Sequence, residues 1–201
     1  MIETVTGVIL AGGKSTRMGR NKALLPLRGK TLVECVLETM QGIFSRILVS
    51  VNPEDPYANI SIQKVVDRYP ETGPLGGITS VLEAGESRIF CAACDMPFLN
   101  KALIAFLCGF VEYDAVIPVW EGKAEVLHAF YSGTLLPAFR SALQQQHYRI
   151  TDALQGANVR FVNNSEIRQF DPEGVSFRNL NTPADYEQVL GQLRDDGLPH
   201  V

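Results

Sequence analysis

A glycine-rich segment with several basic residues stands near the beginning of the chain, directly after an apolar run. It covers residues 10–22 and reads LAGGKSTRMGRNK. Gly12 and Gly13 lack the Cβ atoms that would keep a phosphate away from the backbone, so consecutive N–H groups there can bind an anion. Arg17 can donate to two oxygens at once, and Lys22 adds a compact positive charge. This segment predicts a phosphate-binding loop, with an ordinary glycine-rich turn as the alternative.

Two well-known phosphate-binding loops do not match this segment. A Walker A loop would need a glycine where this chain has Val8, ahead of the Gly-Lys-Ser triplet at 13–15. The dinucleotide-binding fingerprint also fails, because Gly12, Gly13 and Gly19 do not fit the pattern G-x-G-x-x-G. The predicted loop therefore belongs to a third kind.

An aspartate follows a second apolar run, in the segment Cys94-Asp95-Met96-Pro97. In open α/β sheets, ligands bind outside the carboxyl ends of the strands, so Asp95 should emerge at the same edge as the glycine loop. A carboxylate there can bind Mg²⁺, which prefers oxygen ligands and keeps waters and substrate phosphates in its other positions. The sequence predicts that Asp95 is a metal ligand; the alternative is an aspartate that caps the turn before Pro97.

A third motif combines Asp67, at the end of another apolar run, with the segment Gly73-Pro74-Leu75-Gly76-Gly77. The glycines stand where a base could approach the backbone closely. Guanine has an O6 acceptor and N1 and N2 donors, which backbone N–H and C=O groups can recognise. This segment predicts a base-binding loop at the start of a helix.

The elements that must position these motifs alternate along the chain. Apolar, β-branched runs predict strands at 5–10, 47–51, 62–66, 89–94, 115–119, 126–131 and 159–162. Helix signals lie between and after them: a capping box at Thr31, an N-cap at Asn100, helical patterns over 134–146 and 151–154, and Thr182-Pro183 before the last helix. This alternation predicts a Rossmann-like α/β fold, with a mostly parallel central sheet and helices on both faces.

Composition limits the class of protein. With 201 residues, 46% hydrophobic content and a net charge of −4, we expect a single domain without general affinity for nucleic acid. No apolar stretch approaches the roughly 20 residues of a membrane helix and no signal peptide is evident, so we expect a cytoplasmic protein without a membrane partner. Cations cluster between 14 and 30 without any Asp or Glu: Lys14, Arg17, Arg20, Lys22, Arg28 and Lys30. This patch is a candidate for phosphate binding, with a solvated basic loop as the alternative.

The chain has four cysteines, of which Cys91 and Cys94 form a C-x-x-C pair. This pair lies in an apolar run that reads as a buried strand, where sulfur behaves as a small hydrophobic group and the two thiols point to opposite faces. With no second such pair, we interpret the cysteines as structural.

The glycine-loop motif resembles the signature of nucleotidyltransferases that activate sugars, alditols and cofactors. Combined with Asp67, the Gly-Pro-Leu-Gly-Gly segment and Cys-Asp-Met-Pro, it is similar to the molybdenum cofactor guanylyltransferases. The resemblance implies that Leu10, Ala11, Gly12 and Gly13 contact the nucleotide, with Arg17 and Lys22 on its phosphates. It further implies that Asp95 binds Mg²⁺, that Asp67 contacts guanosine, and that Gly73, Pro74, Leu75 and Gly76 contact the base.

The resemblance extends into the second half of the chain. Leu127-His128-Ala129-Phe130-Tyr131 resembles a strand beside the pterin, and Asn179-Leu180-Asn181-Thr182-Pro183 matches an Asn-x-Asn-Thr-Pro element. On this basis His128, Asn179 and Asn181 are pterin-side candidates, with a core histidine and turn or cap asparagines as the alternatives. One departure concerns the ribose: where the family often has a strand-end Asn, this chain has Ser50, with Asn52 two positions later. Which of the two contacts the ribose stays open.

The resemblance implies transfer of GMP from GTP to the phosphate of molybdenum-bearing molybdopterin, with release of pyrophosphate. Residues 1–100 would form the nucleotide-binding half, 101–193 the pterin-side half, and 194–201 a frayed tail. Transient partners would be molybdopterin-handling proteins and acceptor molybdoenzymes. Two alternatives remain: a cytidylyl or sugar-phosphate nucleotidyltransferase on the same fold, and a non-catalytic GTP-binding sensor.

Overall fold

The computed structural model describes residues 1–12, 22–54, 57 and 61–195. Its strands are β1 (Thr6–Leu10), β2 (Pro26–Leu27), β3 (Lys30–Thr31), β4 (Ile47–Val51), β5 (Lys64–Val66), β6 (Arg88–Ala93), β7 (Ala115–Trp120), β8 (Lys123–Ala124), β9 (His128–Ser132) and β10 (Val159–Val162). Its α-helices are α1 (Leu32–Gln41), α2 (Pro74–Glu83), α3 (Lys101–Leu107), α4 (Leu136–Gln144), α5 (Ile150–Ala153), α6 (Asn164–Ile167) and α7 (Pro183–Asp195). Short 3₁₀ helices cover Lys22–Leu24, Gly133–Leu135 and Val175–Phe177.

The central sheet is mostly parallel, as predicted. Its strand order is β10-β7-β9-β6-β1-β4-β5, and β8 pairs with β7. β1 is parallel to β4 and β6, β4 to β5, and β7 to β10, whereas β9 is antiparallel to both of its neighbours. The carboxyl ends of β1, β4, β5 and β6 therefore meet at one edge of the sheet, where the three sequence motifs follow them.

Helices cover both faces of the sheet, and this prediction is also confirmed. Successive strand residues point to opposite faces, so neighbours in a strand belong to different cores. Ile9, Val49 and Phe90 pack with α1 and α3 on one face. Val8, Leu48 and Cys91 pack with α2 and α4 on the other.

The helix starts follow the local signals in the sequence. Thr31 and Glu34 form the predicted capping box at the start of α1, and the Asn100 side chain accepts a hydrogen bond from Leu103 N–H at the start of α3. Such N-caps typically stabilise a helix by about 1 kcal/mol. The sequence predicts this helix from Lys101 to about Phe110, but it ends at Leu107, because Gly109 follows directly after its C-cap.

Several local elements differ from the prediction. Val126 and Leu127 lie in a turn, closed by His128 N–H donating to Glu125 O at 3.0 Å, so β9 starts later than expected. Helix α7 continues past Leu193 to Asp195; the rest of the predicted tail, 196–201, lies outside the described residues. Helix α6 was not predicted, because four residues are too few to show a helical period.

The short hairpin of β2 and β3 changes the interpretation of the basic segment. Its two turn residues, Arg28 and Gly29, have φ of 53° and 74°, as in the mirror-image turns that suit tight hairpins. The hairpin directs Lys30 toward α1, where its ammonium lies 2.7 Å from the Glu38 carboxylate. Lys30 is thus engaged outside the phosphate-binding region, and Lys14, Arg17 and Arg20 lie outside the described residues.

The cysteines are free thiols in the structure. Cys91 packs in the core under α2 and α4, whereas Cys94 packs against the opposite core. Burial, assisted by the neighbouring Asp95 carboxylate, raises the pKa of the Cys94 thiol to about 12, so this thiol stays protonated at neutral pH. The structural interpretation of the C-x-x-C pair therefore holds.

Within the part of the chain that the structure describes, no helix is both long and apolar enough to cross a bilayer.

Candidate functional site

A cleft of about 670 Å³ opens at the edge of the sheet where β1, β4, β5 and β6 end. Residues from all three predicted motifs line it, together with neighbours that follow β4 and β5. They are Leu10, Ala11, Gly12, Lys22, Ser50, Asn52, Pro53, Glu54, Tyr57, Asp67, Pro70, Glu71, Gly73, Pro74, Gly77, Ala93, Cys94, Asp95 and Leu127. The size is that of a pocket for a nucleotide-sized ligand.

Three polar side chains meet at the cleft, of which two, Lys22 and Asp95, line it. The Lys22 ammonium donates a hydrogen bond to Asn181 Oδ1 at 2.9 Å and lies 3.5 Å from Asp95 Oδ2. Lys22 starts a 3₁₀ helix after the glycine loop, and Asp95 follows β6. The side chains of Lys22 and Asp95 are each 17% exposed, so their charges interact in a partly desolvated place. The fold thus joins two predicted catalytic residues to a predicted pterin-side residue.

The turn that contains Asp95 does not use this side chain to close. Met96 N–H donates to Ala93 O at 3.2 Å, and the Asp95 carbonyl accepts from Leu180 N–H at 3.0 Å. Burial raises the pKa of the Asp95 carboxyl above its ordinary value, although the Lys22 ammonium opposes this shift. Such a carboxylate, facing a cleft beside a cation, is suited to an additional positive charge.

Two close approaches tie the glycine motifs to the end of β4. A Cβ atom on Gly12 would lie 2.8 Å from Asn52 Oδ1, and a Cβ atom on Gly77 would lie 2.8 Å from Ser50 Oγ. A side chain at either position would therefore force Asn52 or Ser50 to move. The same geometry places both Ser50 and Asn52 on the cleft wall.

Asp67 follows β5 and is held by the chain around it. Its Oδ1 accepts a hydrogen bond from Tyr69 N–H at 2.8 Å and lies 3.2 Å from Ser80 Oγ. The residue is 8% exposed and lines the cleft. One carboxylate oxygen of Asp67 thus holds the loop through hydrogen bonds, and the small exposed part of the residue faces the cleft.

The base-loop motif contributes only some of its residues to the cleft. Gly73, Pro74 and Gly77 line it, whereas Leu75 is fully buried in the core. Gly76 is also buried, and a Cβ atom there would overlap Thr72 Oγ1. Gly73 has φ 69° and ψ −156°, a conformation that favours glycine, and Pro74 follows as the first residue of α2.

Two predicted pterin-side residues, His128 and Asn179, are not among the residues that line the cleft. His128 is fully buried between the rings of Phe90 and Phe177, with centroids 5.1 and 5.2 Å away, and does not line the cleft. Burial lowers its pKa to about 3, so the ring is neutral, and neither ring nitrogen has a hydrogen-bond partner among the described residues. Asn179 Nδ2 donates a hydrogen bond to Phe177 O at 3.2 Å, a local contact typical of an asparagine in a turn. Gly13 and Arg17 lie outside the described residues.

Tyr57 is a cleft residue that the sequence motifs did not indicate. Its side chain is buried, and its hydroxyl donates to Ala11 O at 2.9 Å, which anchors the start of the glycine loop. The sequence around it has no helical or strand periodicity. The useful signal would have been position alone, since Tyr57 follows β4 at the ligand-binding edge of the sheet.

The chain is similar to known proteins in sequence and in fold. The model of the MobA-like NTP transferase domain matches residues 7–160. The chain is 35% identical to a probable molybdenum cofactor guanylyltransferase of Carboxydothermus hydrogenoformans, over 94% of this chain and 96% of the relative. A relative of the same name in Methanosarcina mazei is also 35% identical, over 94% and 92%. The crystal structure of molybdopterin-guanine dinucleotide biosynthesis protein A from Archaeoglobus fulgidus superposes with a TM-score of 0.84 at 26% identity, covering 95% of this chain and 100% of that one.

The fold and the cleft are those of a nucleotidyltransferase, an enzyme that moves a nucleotidyl group from a nucleoside triphosphate to an acceptor. Within that class, the chain belongs to the MobA-like NTP transferase family.

Proposed function

We propose that this enzyme transfers GMP from GTP to the phosphate of molybdenum-bearing molybdopterin and releases pyrophosphate. An oxygen of the pterin phosphate attacks the α-phosphorus in line; the new P–O bond forms as the bond to the β-phosphate oxygen breaks. The observation that carries this proposal is the meeting of Lys22, Asp95 and Asn181 at a cleft that the glycine loop also lines.

Lys22 serves the phosphate end of the nucleotide in this proposal. Charge develops on the phosphate oxygens and on the departing pyrophosphate, and a positioned cation stabilises it. Because Asn181 holds the ammonium at 2.9 Å, the lysine is aimed before the nucleotide arrives. Arg17 is proposed to act beside it, on the strength of the motif.

Asp95 is the proposed ligand of Mg²⁺, and the residues present suit that ion. The described residues contain no group of three or more His, Cys, Asp or Glu side chains that could hold a metal by themselves. Mg²⁺ commonly uses one or two protein oxygens and takes the rest from water and substrate phosphates. Bound there, the ion would neutralise phosphate charge. Asp95 supplies the carboxylate, and the Asn181 amide oxygen contacts the same Lys22 ammonium.

The base and ribose are proposed to occupy the other part of the cleft. Gly73, Pro74 and Gly77 lie there with Asp67, Ser50 and Asn52. In this proposal residues 1–100 hold the nucleotide and 101–193 hold the pterin. The reaction would take place in the cytoplasm, with transient contacts to proteins that deliver molybdopterin and receive the finished cofactor.

The test is nucleotide preference combined with turnover. GTP should raise the melting temperature in the presence of Mg²⁺ more than CTP or ATP at equal concentration. Pyrophosphate should then appear only when molybdopterin carrying molybdenum is added. A larger shift with CTP would contradict guanylyl transfer, and GTP binding without pyrophosphate release would indicate a sensor.

A further inference from the structure

The peptide group between Ala11 and Gly12 stands where the chain leaves β1 and enters the glycine loop. Its carbonyl oxygen, Ala11 O, accepts a hydrogen bond from the Tyr57 hydroxyl at 2.9 Å. Its N–H group, that of Gly12, has no hydrogen-bond partner among the residues that the structure describes. Gly12 and Tyr57 both line the cleft. This peptide group therefore has its acceptor paired and its donor available beside the cleft.

The preceding peptide group, between Leu10 and Ala11, is fixed by the central sheet. Leu10 O accepts a hydrogen bond from Cys94 N–H at 3.2 Å, and Ala11 N–H donates to Ser50 O at 2.9 Å. These bonds connect the end of β1 to the last part of β4 and to the residue after β6. The sheet thus positions the chain up to the Ala11 N–H, and the Tyr57 hydroxyl holds the next polar group, Ala11 O.

The bond to Ala11 O also sets the direction of the donor. In a trans peptide the C=O and N–H groups point in opposite directions, so a fixed Ala11 O fixes Gly12 N–H as well. Such a group can turn over easily before a glycine, because glycine accepts φ values of either sign. If it turned over here, a carbonyl oxygen would replace the N–H donor and would repel a phosphate. Glycine at position 12 thus makes a bond to Ala11 O necessary.

Tyr57 is itself held at both its side chain and its backbone. Its side chain is buried and packs in the core on the α1 face of the sheet. Its backbone carbonyl accepts a hydrogen bond at 2.6 Å from the ammonium of Lys64, the first residue of β5. The hydroxyl therefore reaches Ala11 O from a fixed position, which is what the orientation of a neighbouring peptide group requires.

We propose that Tyr57 is a positioning residue for phosphate binding, whose hydroxyl keeps Gly12 N–H directed at an oxygen of the nucleoside triphosphate. This inference rests on the proposed function for the identity of that nucleotide, GTP, and adds a residue that prepares its phosphate site. Tyr57 acts through the backbone and does not touch the nucleotide. Because an N–H donor binds a charged oxygen more strongly than a neutral one, its loss weakens binding of the phosphates and spares the nucleoside.

The experiment compares three probes on the full-length enzyme with Mg²⁺: GTP, inorganic pyrophosphate and guanosine. Calorimetry gives the dissociation constant of each. Tyr57→Phe removes the hydroxyl and keeps the ring. In this variant the constants for GTP and pyrophosphate should rise by about tenfold or more, because a hydrogen bond to a charged group is lost. The constant for guanosine should stay unchanged, which a general loss of cleft structure would not produce.

Tyr131→Phe is the matched control. The Tyr131 hydroxyl is also a donor to a backbone carbonyl, Val126 O, at 2.7 Å, and neither residue lines the cleft. Both variants leave one carbonyl without its donor, so both should lower the ligand-free melting temperature by a similar amount. Tyr131→Phe should keep all three dissociation constants.

A measurement on the unmodified enzyme tests the donor without any variant. Addition of pyrophosphate should shift the NMR signal of the Gly12 amide. A Gly12 signal that does not move at saturating pyrophosphate overturns the inference, whatever the variants do.

A weaker affinity for GTP and pyrophosphate in Tyr57→Phe alone, with guanosine unchanged, supports the positioning role. Unchanged constants in Tyr57→Phe, an equal loss for guanosine, or an equal loss in Tyr131→Phe overturns it and leaves guanylyl transfer standing. Tighter binding of CTP than of GTP by the unmodified enzyme overturns the proposed function instead. The pyrophosphate comparison contains no base, so it still decides the role of Tyr57 in that case.

Discussion

Lys22 Nζ donates a hydrogen bond to Asn181 Oδ1 at 2.9 Å, although the two residues are 159 positions apart. Asn181 is itself held, because its backbone N–H donates to Asp185 Oδ2 at 3.0 Å in the first turn of α7. The carboxyl-terminal segment thus positions the side chain that follows the glycine loop. A ligand that draws Lys22 toward its phosphates must compete with Asn181 and Asp95.

Removal of this contact should weaken the handling of phosphate without unfolding the protein. We expect Asn181→Ala to reduce kcat/KM for GTP by about tenfold or more, because a hydrogen bond to a charged group contributes about 1.5–3 kcal/mol. The assay is pyrophosphate release. Asn164→Ala, on helix α6 and outside the cleft lining, is the control and should retain normal activity. Equal activity in both variants would show that Asn181 does not position Lys22.

Loss of the Lys22 ammonium itself should be more severe. Lys22→Ala should lower kcat by orders of magnitude, since one transition-state donor typically contributes about 2.7–4 kcal/mol. Lys30→Ala is a matched control, because Lys30 pairs with Glu38 on the surface of α1. A similar loss in both variants would show that the lysines contribute only general positive charge.

By the same motif, Arg17→Lys should also be poorly active, because an ammonium cannot replace a two-pronged guanidinium.

Asp95 should show its metal role in a pH profile. Since burial raises the pKa of this carboxyl, its protonation as pH falls begins at a higher pH than for an exposed aspartate. A protonated carboxyl does not hold Mg²⁺, so the Mg²⁺ requirement of the enzyme should rise as pH falls through that raised pKa. Asp95→Asn should need much more Mg²⁺ at every pH, which a magnesium titration of pyrophosphate release would measure.

The same variant also separates binding from folding. The raised pKa of Asp95 means that the folded protein favours the neutral carboxyl. The charged carboxylate therefore lowers the stability of the fold at pH values above the ordinary pKa. This loss of stability disappears as pH falls through the raised pKa. Asp95→Asn should therefore keep or slightly raise the ligand-free melting temperature at pH 7. Full activity of this variant at low Mg²⁺ would remove Asp95 from the site.

The close approach of α2 to β4 can be tested with a double-mutant cycle. Gly77→Ala places a Cβ atom 2.8 Å from Ser50 Oγ and should lower the free energy of unfolding by about 1–3 kcal/mol. Removal of the hydroxyl in Ser50→Ala/Gly77→Ala should recover most of that loss, because the Ser50 Cβ atom lies 3.8 Å away. Denaturant unfolding measures both variants. Gly191→Ala, where no atom lies within 4 Å, should not destabilise the protein.

Local signals determined much of this protein from its sequence. The apolar runs located the strands of the central sheet, since alternating burial needs apolar side chains on both faces. The capping box at Thr31 and the N-cap at Asn100 are local hydrogen-bond patterns, so they could be predicted without tertiary contacts. The strand-end rule placed Gly12, Asp67 and Asp95 at one edge, and all three line the cleft.

Only the tertiary structure decided which residues meet. His128 and Lys30 appeared as ligand candidates by type, yet one is buried between aromatic rings and the other pairs with Glu38. The contact between Lys22 and Asn181 joins segments 159 positions apart, and no local pattern carries information about such a pair. The spacing of residue types in the sequence predicts the backbone conformation over a few neighbouring residues. Which side chains share a cleft depends on how the strands are ordered and how the chain returns across their ends.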